Sequence, residues 1–279
     1  MVVTLARLQL TLAWRGLRSS TGRTVATVLL GLYGLGVLTA AVAGLVVLRE
    51  PGFDALRGPL LTVGFALLTL GWPVVGVLSG GDGELLEPGR FALFPVSARA
   101  LLPGLLVAGL LSPGALSTAV LGLAGVVSWS GSAPAATAAL FAAVMGTLTC
   151  FLLARVLGTA LSRLLNARRF RDTGVVAVFL VLLAASALGQ LVSRRLDPGV
   201  LLGGGLDGPA RVVSWTPVGW VWALPWDLAR GQWLAFAVHL VGATALCAVL
   251  LRVWSGQLAE GLVSPVGGAG QGGRAGRSR

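Results

Sequence analysis

The chain has 279 residues, of which 56% are hydrophobic and only 11% are charged. A soluble domain of this length needs far more charge to cover its surface, so the composition excludes an ordinary water-soluble globular protein. All 21 basic residues are arginine, and the formal net charge is +11. Because the arginines flank apolar stretches instead of forming one soluble patch, they indicate membrane orientation signals and argue against nucleic-acid binding.

The first predicted element is an amphipathic helix at the N-terminus. Polar positions recur every three or four residues over 2–20, while most leucines lie away from that stripe. Such a helix lies in the membrane interface with its arginines toward the headgroups. We assign residues 1–24 to a cytoplasmic interfacial helix. Its interfacial residues are Arg7, Trp14, Arg15 and Arg18.

Long apolar stretches then predict an all-α, polytopic membrane protein. About six of them are long enough to cross a hydrocarbon core of ~30 Å as helices. Their ranges are 25–48, 60–79, 101–127, a stretch starting near 134, 174–192 and 233–251. We assign residues 25–254 to this six-span transmembrane domain and 255–279 to a flexible, Gly- and Arg-rich cytoplasmic tail.

Orientation follows from the arginines. With the N-terminus inside, most of the 21 arginines fall in cytoplasmic segments. The positive-inside rule therefore predicts a multi-pass protein of the cell (plasma) membrane with both termini in the cytoplasm.

The residues that carry common catalytic chemistry are scarce. A phosphate-binding P-loop requires a lysine, and the sequence has none, so any ATP would be bound by another polypeptide. One histidine and two cysteines are too few for a zinc site or a Cys–His nucleophile pair. Cys150 and Cys247 fall inside apolar spans and are interpreted as small buried hydrophobic residues. We expect neither an enzyme nor a bound cofactor.

Ionisable groups are also missing from the middle of the predicted spans. Ion-coupled carriers generally need such a group at membrane depth. The intramembrane polar candidates are Gln190 and His239. His239 is a candidate proton relay, although a lone histidine more commonly forms a hydrogen bond to a facing helix.

Two longer patterns carry a resemblance to a known family. The first, GDGELLEPGRFALFPVSARALLPGLL at 81–106, is an acidic–Pro–Arg–Phe–apolar–Pro segment after the second span. The second, WTPVGWVWALPWDLARGQW at 215–233, combines proline and tryptophan before the last span. With the order of spans, these patterns resemble the permease subunit of type II ABC exporters, especially the multi-span permeases of actinobacteria. The resemblance implies a subunit that forms part of a translocation pathway and is driven by a separate ATPase.

The resemblance places a cytoplasmic coupling helix, which docks on the ATPase, within 84–100. Charged and apolar side chains alternate there, as in many protein interfaces. The alternative is an amphipathic loop lying on the bilayer. The candidate docking residues are Glu84, Glu87, Arg90, Phe91, Phe94, Pro95 and Arg99.

For 215–232 the resemblance implies short helices that dip back from the outer face. The alternative is an aromatic belt, because indole rings favour the headgroup layer. The residues of this outer interfacial segment are Trp215, Pro217, Trp220, Trp222, Pro225 and Trp226.

Some relatives in that family carry two six-span halves, and this sequence has one. The expected partners are an ABC-type ATPase subunit, a second permease copy or homologous half, and membrane lipid. A truncated first half is a further alternative. Two other functions stay open from the sequence: an ion-coupled secondary transporter using His239 or Gln190, and a non-transporting membrane scaffold.

Overall fold

The computed structural model describes residues 21–78, 98–165 and 205–263, and these ranges are almost entirely helical. A single 3-10 turn, Pro51–Phe53, precedes the second helix. In chain order the helices are α1 Thr21–Val47, α2 Asp54–Leu78, α3 Ala98–Leu110, α4 Pro113–Ser128, α5 Ala133–Leu165, α6 Asp207–Ser214, α7 Trp220–Ala229 and α8 Trp233–Val263.

The described helices are those of a membrane-embedded protein. Three stretches are long and apolar enough to cross a membrane: Pro51–Pro73, Ala133–Ala160 and Trp233–Glu260. A fourth span results if α3 and α4 are counted as one broken span, and Gly31–Val47 in α1 is a shorter apolar helix. The predicted fifth span at 174–192 and most of the interfacial helix at 1–24 lie outside the described residues, so the count of six stays a prediction.

The third predicted span is not one straight helix. Its two halves, Leu102–Leu110 and Pro113–Ser128, meet at an angle of 67°. Pro113 causes the break, because a proline has no backbone N–H to continue the helix but fits the first position of a new one. Ser112 caps that new helix by accepting a hydrogen bond from the backbone N–H of Ala115 at 3.4 Å.

Helix α5 is the centre of the bundle and contacts α2, α3, α4, α7 and α8. Small residues on its buried faces allow this crowding. Ala143 lies against Gly122 of α4, where an added Cβ would come within 2.8 Å of the Ala143 Cβ. Small residues at helix contacts let backbones approach closely in membrane proteins.

Helix α8 crosses residue 254, where the sequence analysis places the boundary between membrane domain and tail. Helix α8 continues to Val263, so the first part of the predicted flexible tail is helical. The helix continues because side chains beyond the apolar stretch pack against the bundle, which a hydropathy pattern does not reveal. Trp254 is buried edge-to-face against Phe151 at 5.7 Å, and Leu258 is buried in the same cluster.

One end of the bundle is fastened by Arg57. Its Nε donates to the Leu48 carbonyl at 2.7 Å, and its Nη2 donates to the Arg49 carbonyl at 3.0 Å. The same Nη2 lies 2.8 Å from an Asp54 carboxylate oxygen. Carbonyls at the C-terminal end of a helix have no hydrogen-bond donor within that helix. Arg57 supplies donors to the carbonyls that follow α1.

Replacing Arg57 with glutamine is expected to lower the thermal unfolding midpoint, because the shorter side chain leaves the part-buried Leu48 carbonyl unpaired. Losing hydrogen bonds of a charged donor costs about 1.5–3 kcal/mol. The measurement is thermal unfolding of the purified protein in detergent. Arg49→Gln is the matched control, since the Arg49 side chain is exposed. Equal midpoints for the two variants would contradict this role for Arg57.

Candidate functional site

The segment before α8 folds into two short helices joined by glycine turns. At Gly219 an added Cβ would lie 2.0 Å from the Val213 carbonyl oxygen, so only glycine fits between α6 and α7. Gly231 has a φ of +67°, which L residues rarely adopt, and it turns the chain from α7 into α8. The Gln232 backbone N–H then donates to the Asp227 carbonyl at 2.9 Å. Helices α7 and α8 therefore form a tight hairpin.

Helix α7 is embedded in the bundle, and every residue from 221 to 227 is buried. Its tryptophans lie directly on glycines of the surrounding helices. An added Cβ on any of these glycines would come within 2.1–2.7 Å of the ring. The pairs are Trp220 on Gly242 of α8, Trp222 on Gly146 of α5 and Trp226 on Gly58 of α2.

Trp222 is held on both its face and its edge. Its ring stacks on Phe65 with centroids 4.4 Å apart. Its Nε1–H donates to the Thr69 hydroxyl at 2.9 Å, and Cys150 donates to the same oxygen at 3.3 Å. A buried indole usually needs such a hydrogen-bond acceptor, which here lies inside the protein.

The tryptophans of the outer segment differ in burial. Trp222 and Trp226 are buried among helices. Trp215 is 58% exposed and Trp220 is half-buried, while Pro217 is exposed and Pro225 is buried. Two short helices, α6 and α7, lie in this segment, and their depth in a membrane stays a prediction.

His239 of α8 has an acidic partner. Its Nδ1 lies 2.7 Å from an Asp227 carboxylate oxygen, and the two side chains are only 1% and 6% exposed. The edge of the Trp215 ring packs against the imidazole at 4.8 Å between centroids. His239 of α8 therefore bonds to the facing helix α7.

Asp227 was missed by the sequence analysis because it lies in a stretch interpreted as a connection outside the spans. A signal was available. The two residues are separated by twelve positions with a glycine turn between them, and this spacing allows the start of one helix to face the end of another.

A small cavity of about 180 Å³ opens beside this pair, between α6, α7 and α8. Arg230 is held at its edge with the guanidinium 5.1 Å from the centroid of the Trp226 ring. His239 Nε2 is buried and has no hydrogen-bond partner among the described residues. The polar residues lining the cavity are Arg211, Ser214, Asp227, Arg230, Gln232 and His239.

The arrangement is suited to binding a polar group. The Ser214 hydroxyl donates to the Arg211 carbonyl at 2.8 Å instead of to His239, so Ser214, His239 and Asp227 do not form a catalytic triad. Within 21–78, 98–165 and 205–263, no three His, Cys, Asp or Glu side chains cluster as metal ligands. The cavity can hold an anion between its arginines.

The remaining predicted site residues are not brought together by the described structure. Gln190, the four interfacial-helix residues and the docking residues from Glu84 to Pro95 lie outside the described ranges. Arg99 lies in the first turn of α3. Their predicted roles therefore stay predictions.

The chain matches no known protein-family model, no curated protein and no solved structure. Its function must be inferred from its own residues and their geometry.

Proposed function

We propose that the protein is the membrane-spanning permease subunit of an ATP-driven exporter of the ABC type. It forms part of the translocation pathway and is coupled to a separate ATPase subunit. The observation that supports this best is the pair of short helices α6 and α7, which packs against the bundle immediately before the last long helix. Such a pair of short helices is the element that the resemblance to type II ABC exporters implies at this position.

The packing of α7 offers a way to couple the helices. Its three tryptophans lie on glycines of α2, α5 and α8, so these helices cannot move relative to one another without moving α7. Helix α5 has 33 residues and is about 50 Å long, which exceeds the ~30 Å hydrocarbon core. A rigid helix of that length can carry a displacement from one membrane face to the other.

Energy must come from another chain in this proposal, because the sequence has no lysine for a P-loop. The candidate contact is the cytoplasmic segment 84–100 with its two phenylalanines. A second copy or a homologous half would complete the pathway. In this proposal the protein spans the cell membrane, and both termini lie in the cytoplasm.

Purification from the native membrane in mild detergent tests the proposal. We expect an ABC-type ATPase to co-purify in stoichiometric amounts, as identified by mass spectrometry. The double substitution Phe91→Asp and Phe94→Asp is expected to abolish this association, because charges replace apolar anchors of the kind that dominate interfaces. The matched control replaces both phenylalanines with leucine and retains the ATPase. Full association of the Asp variant would contradict the docking site, and absence of any ATPase would contradict the function.

A proton-coupled carrier is the second candidate, and the buried Asp227–His239 pair favours it. Intramembrane histidine and carboxylate groups are common parts of proton relays. A carrier predicts that export continues in cells that lack the partner ATPase and that His239→Ala abolishes it. Loss of export on deletion of the ATPase alone would contradict the carrier.

A further inference from the structure

The cavity between α6, α7 and α8 carries positive charge from two helices. Arg211 lies in the last turn of α6, and Arg230 follows the end of α7. Neither guanidinium forms an ion pair with a described residue, whereas Asp227 is already engaged by His239. Whether His239 is neutral or cationic, the cavity has a net positive charge, and this favours an anion.

His239 provides a third, directional contact. The neutral ring has one N–H, whereas the cationic ring donates from both nitrogens. With Nδ1 engaged by Asp227, Nε2 is the ring nitrogen left for a ligand. That atom is buried and has no partner in the part of the chain that the structure describes. A buried polar atom without a partner is rare, and a bound ligand is one explanation for it.

Size and surroundings indicate what kind of anion fits. A volume of about 180 Å³ is below the ~300–1,000 Å³ of pockets for drug-sized ligands, so it suits a headgroup-sized fragment. Large apolar side chains next in sequence to the lining residues Arg211 and Ala235 are exposed, Val212 at 71% and Leu234 at 82%. Trp215 and Trp233 are exposed in the same region, as is typical of residues at the headgroup level.

We propose that this cavity binds a phosphate group and that the phosphate belongs to a phospholipid headgroup. Arg211 and Arg230 hold its oxygens from two sides, and His239 Nε2 is the ring nitrogen left to contact it. The acyl chains run along the exposed apolar residues of α6 and α8. A lipid explains both the basic cavity and the apolar surface around it, whereas free inorganic phosphate explains only the cavity. Basic pockets between membrane helices are known to bind lipid head groups.

The test is a titration of the purified full-length protein in detergent with dioleoylphosphatidylglycerol, followed by native mass spectrometry. Arg211→Gln and Arg230→Gln are each expected to raise the apparent Kd about tenfold, because each removes a charge-assisted contact. Arg49→Gln removes the same charge from a different connection and leaves the Kd unchanged. Dioleoylglycerol has the same acyl chains without phosphate and should not compete.

Two outcomes overturn the proposal. The first is an equal Kd for wild type, Arg211→Gln and Arg230→Gln while all three proteins elute as single species on size exclusion. The second is displacement of the lipid by inorganic phosphate with the same arginine dependence, which would assign the cavity to the free anion. The arginine variants carry the test because His239→Ala leaves Asp227 buried without its partner, and that variant can fail to fold.

Discussion

Replacing Gly146 with leucine is expected to expel α7 from the bundle and destabilise the protein severely. An added Cβ alone would lie 2.2 Å from the Trp222 ring. The ring cannot move aside easily, because it is stacked on Phe65 and donates a hydrogen bond to Thr69. Overpacking costs about 1–3 kcal/mol and sometimes more. Loss of the buried hydrogen bond adds about 1 kcal/mol.

Thermal unfolding in detergent, followed by size-exclusion elution, measures this effect. Gly158→Leu is the matched control, because Gly158 lies on the same helix with nothing within 4 Å of an added Cβ. The control should elute and unfold like wild type. Adding Trp222→Ala to Gly146→Leu should recover part of the lost stability by removing the clash. Wild-type stability of Gly146→Leu would show that α7 does not lie on α5.

The same reasoning applies at the other two contacts of α7. Gly58 and Gly242 lie under tryptophan rings, whereas Gly64 and Gly256 on the same two helices have nothing within 4 Å of an added Cβ. Three independent helices are therefore fixed to one short buried helix. Helix α7 is therefore part of the core of the fold.

Much of the helical layout could be predicted from hydropathy alone. Helices α2, α5 and α8 lie where long apolar stretches predict spans, because burial of an apolar stretch in lipid is a property of the stretch itself. The break at Pro113 and the continuation of α8 past residue 254 depend on packing and capping, to which a hydropathy window is insensitive. Hydropathy therefore predicts where a helix lies better than where it begins or ends.

The candidate site was predicted only in part. His239 was identified because it is a lone ionisable residue in an apolar stretch. Its partner was not identified, because a stretch with two prolines and four tryptophans was interpreted as an interfacial connection. Only the contacts of Trp222 and Trp226 with glycines of other helices bury this stretch and bring Asp227 to His239. Contacts between distant parts of a chain cannot be deduced from local composition.

Breaking the Asp227–His239 pair is the second change with a large expected effect. Asp227→Ala and His239→Ala are each expected to cost about 1–3 kcal/mol, because each leaves a buried polar group without its partner. The double variant should cost less than the sum of the two single variants. The difference, the coupling energy, is expected at about 1–3 kcal/mol from a double-mutant cycle of unfolding in SDS.

The chain supplies its own control for this cycle. Arg57 and Asp54 form an ion pair of similar length, 2.8 Å, but the Asp54 side chain is 64% exposed. Exposed pairs typically couple by about 0.2–1 kcal/mol, since water screens them. A larger coupling for Asp227–His239 than for Asp54–Arg57 would show that burial makes the pair essential to the α7–α8 contact. Equal coupling would mean that the pair contributes little to stability, and its retention in the bundle would then require a functional reason such as proton transfer or ligand binding.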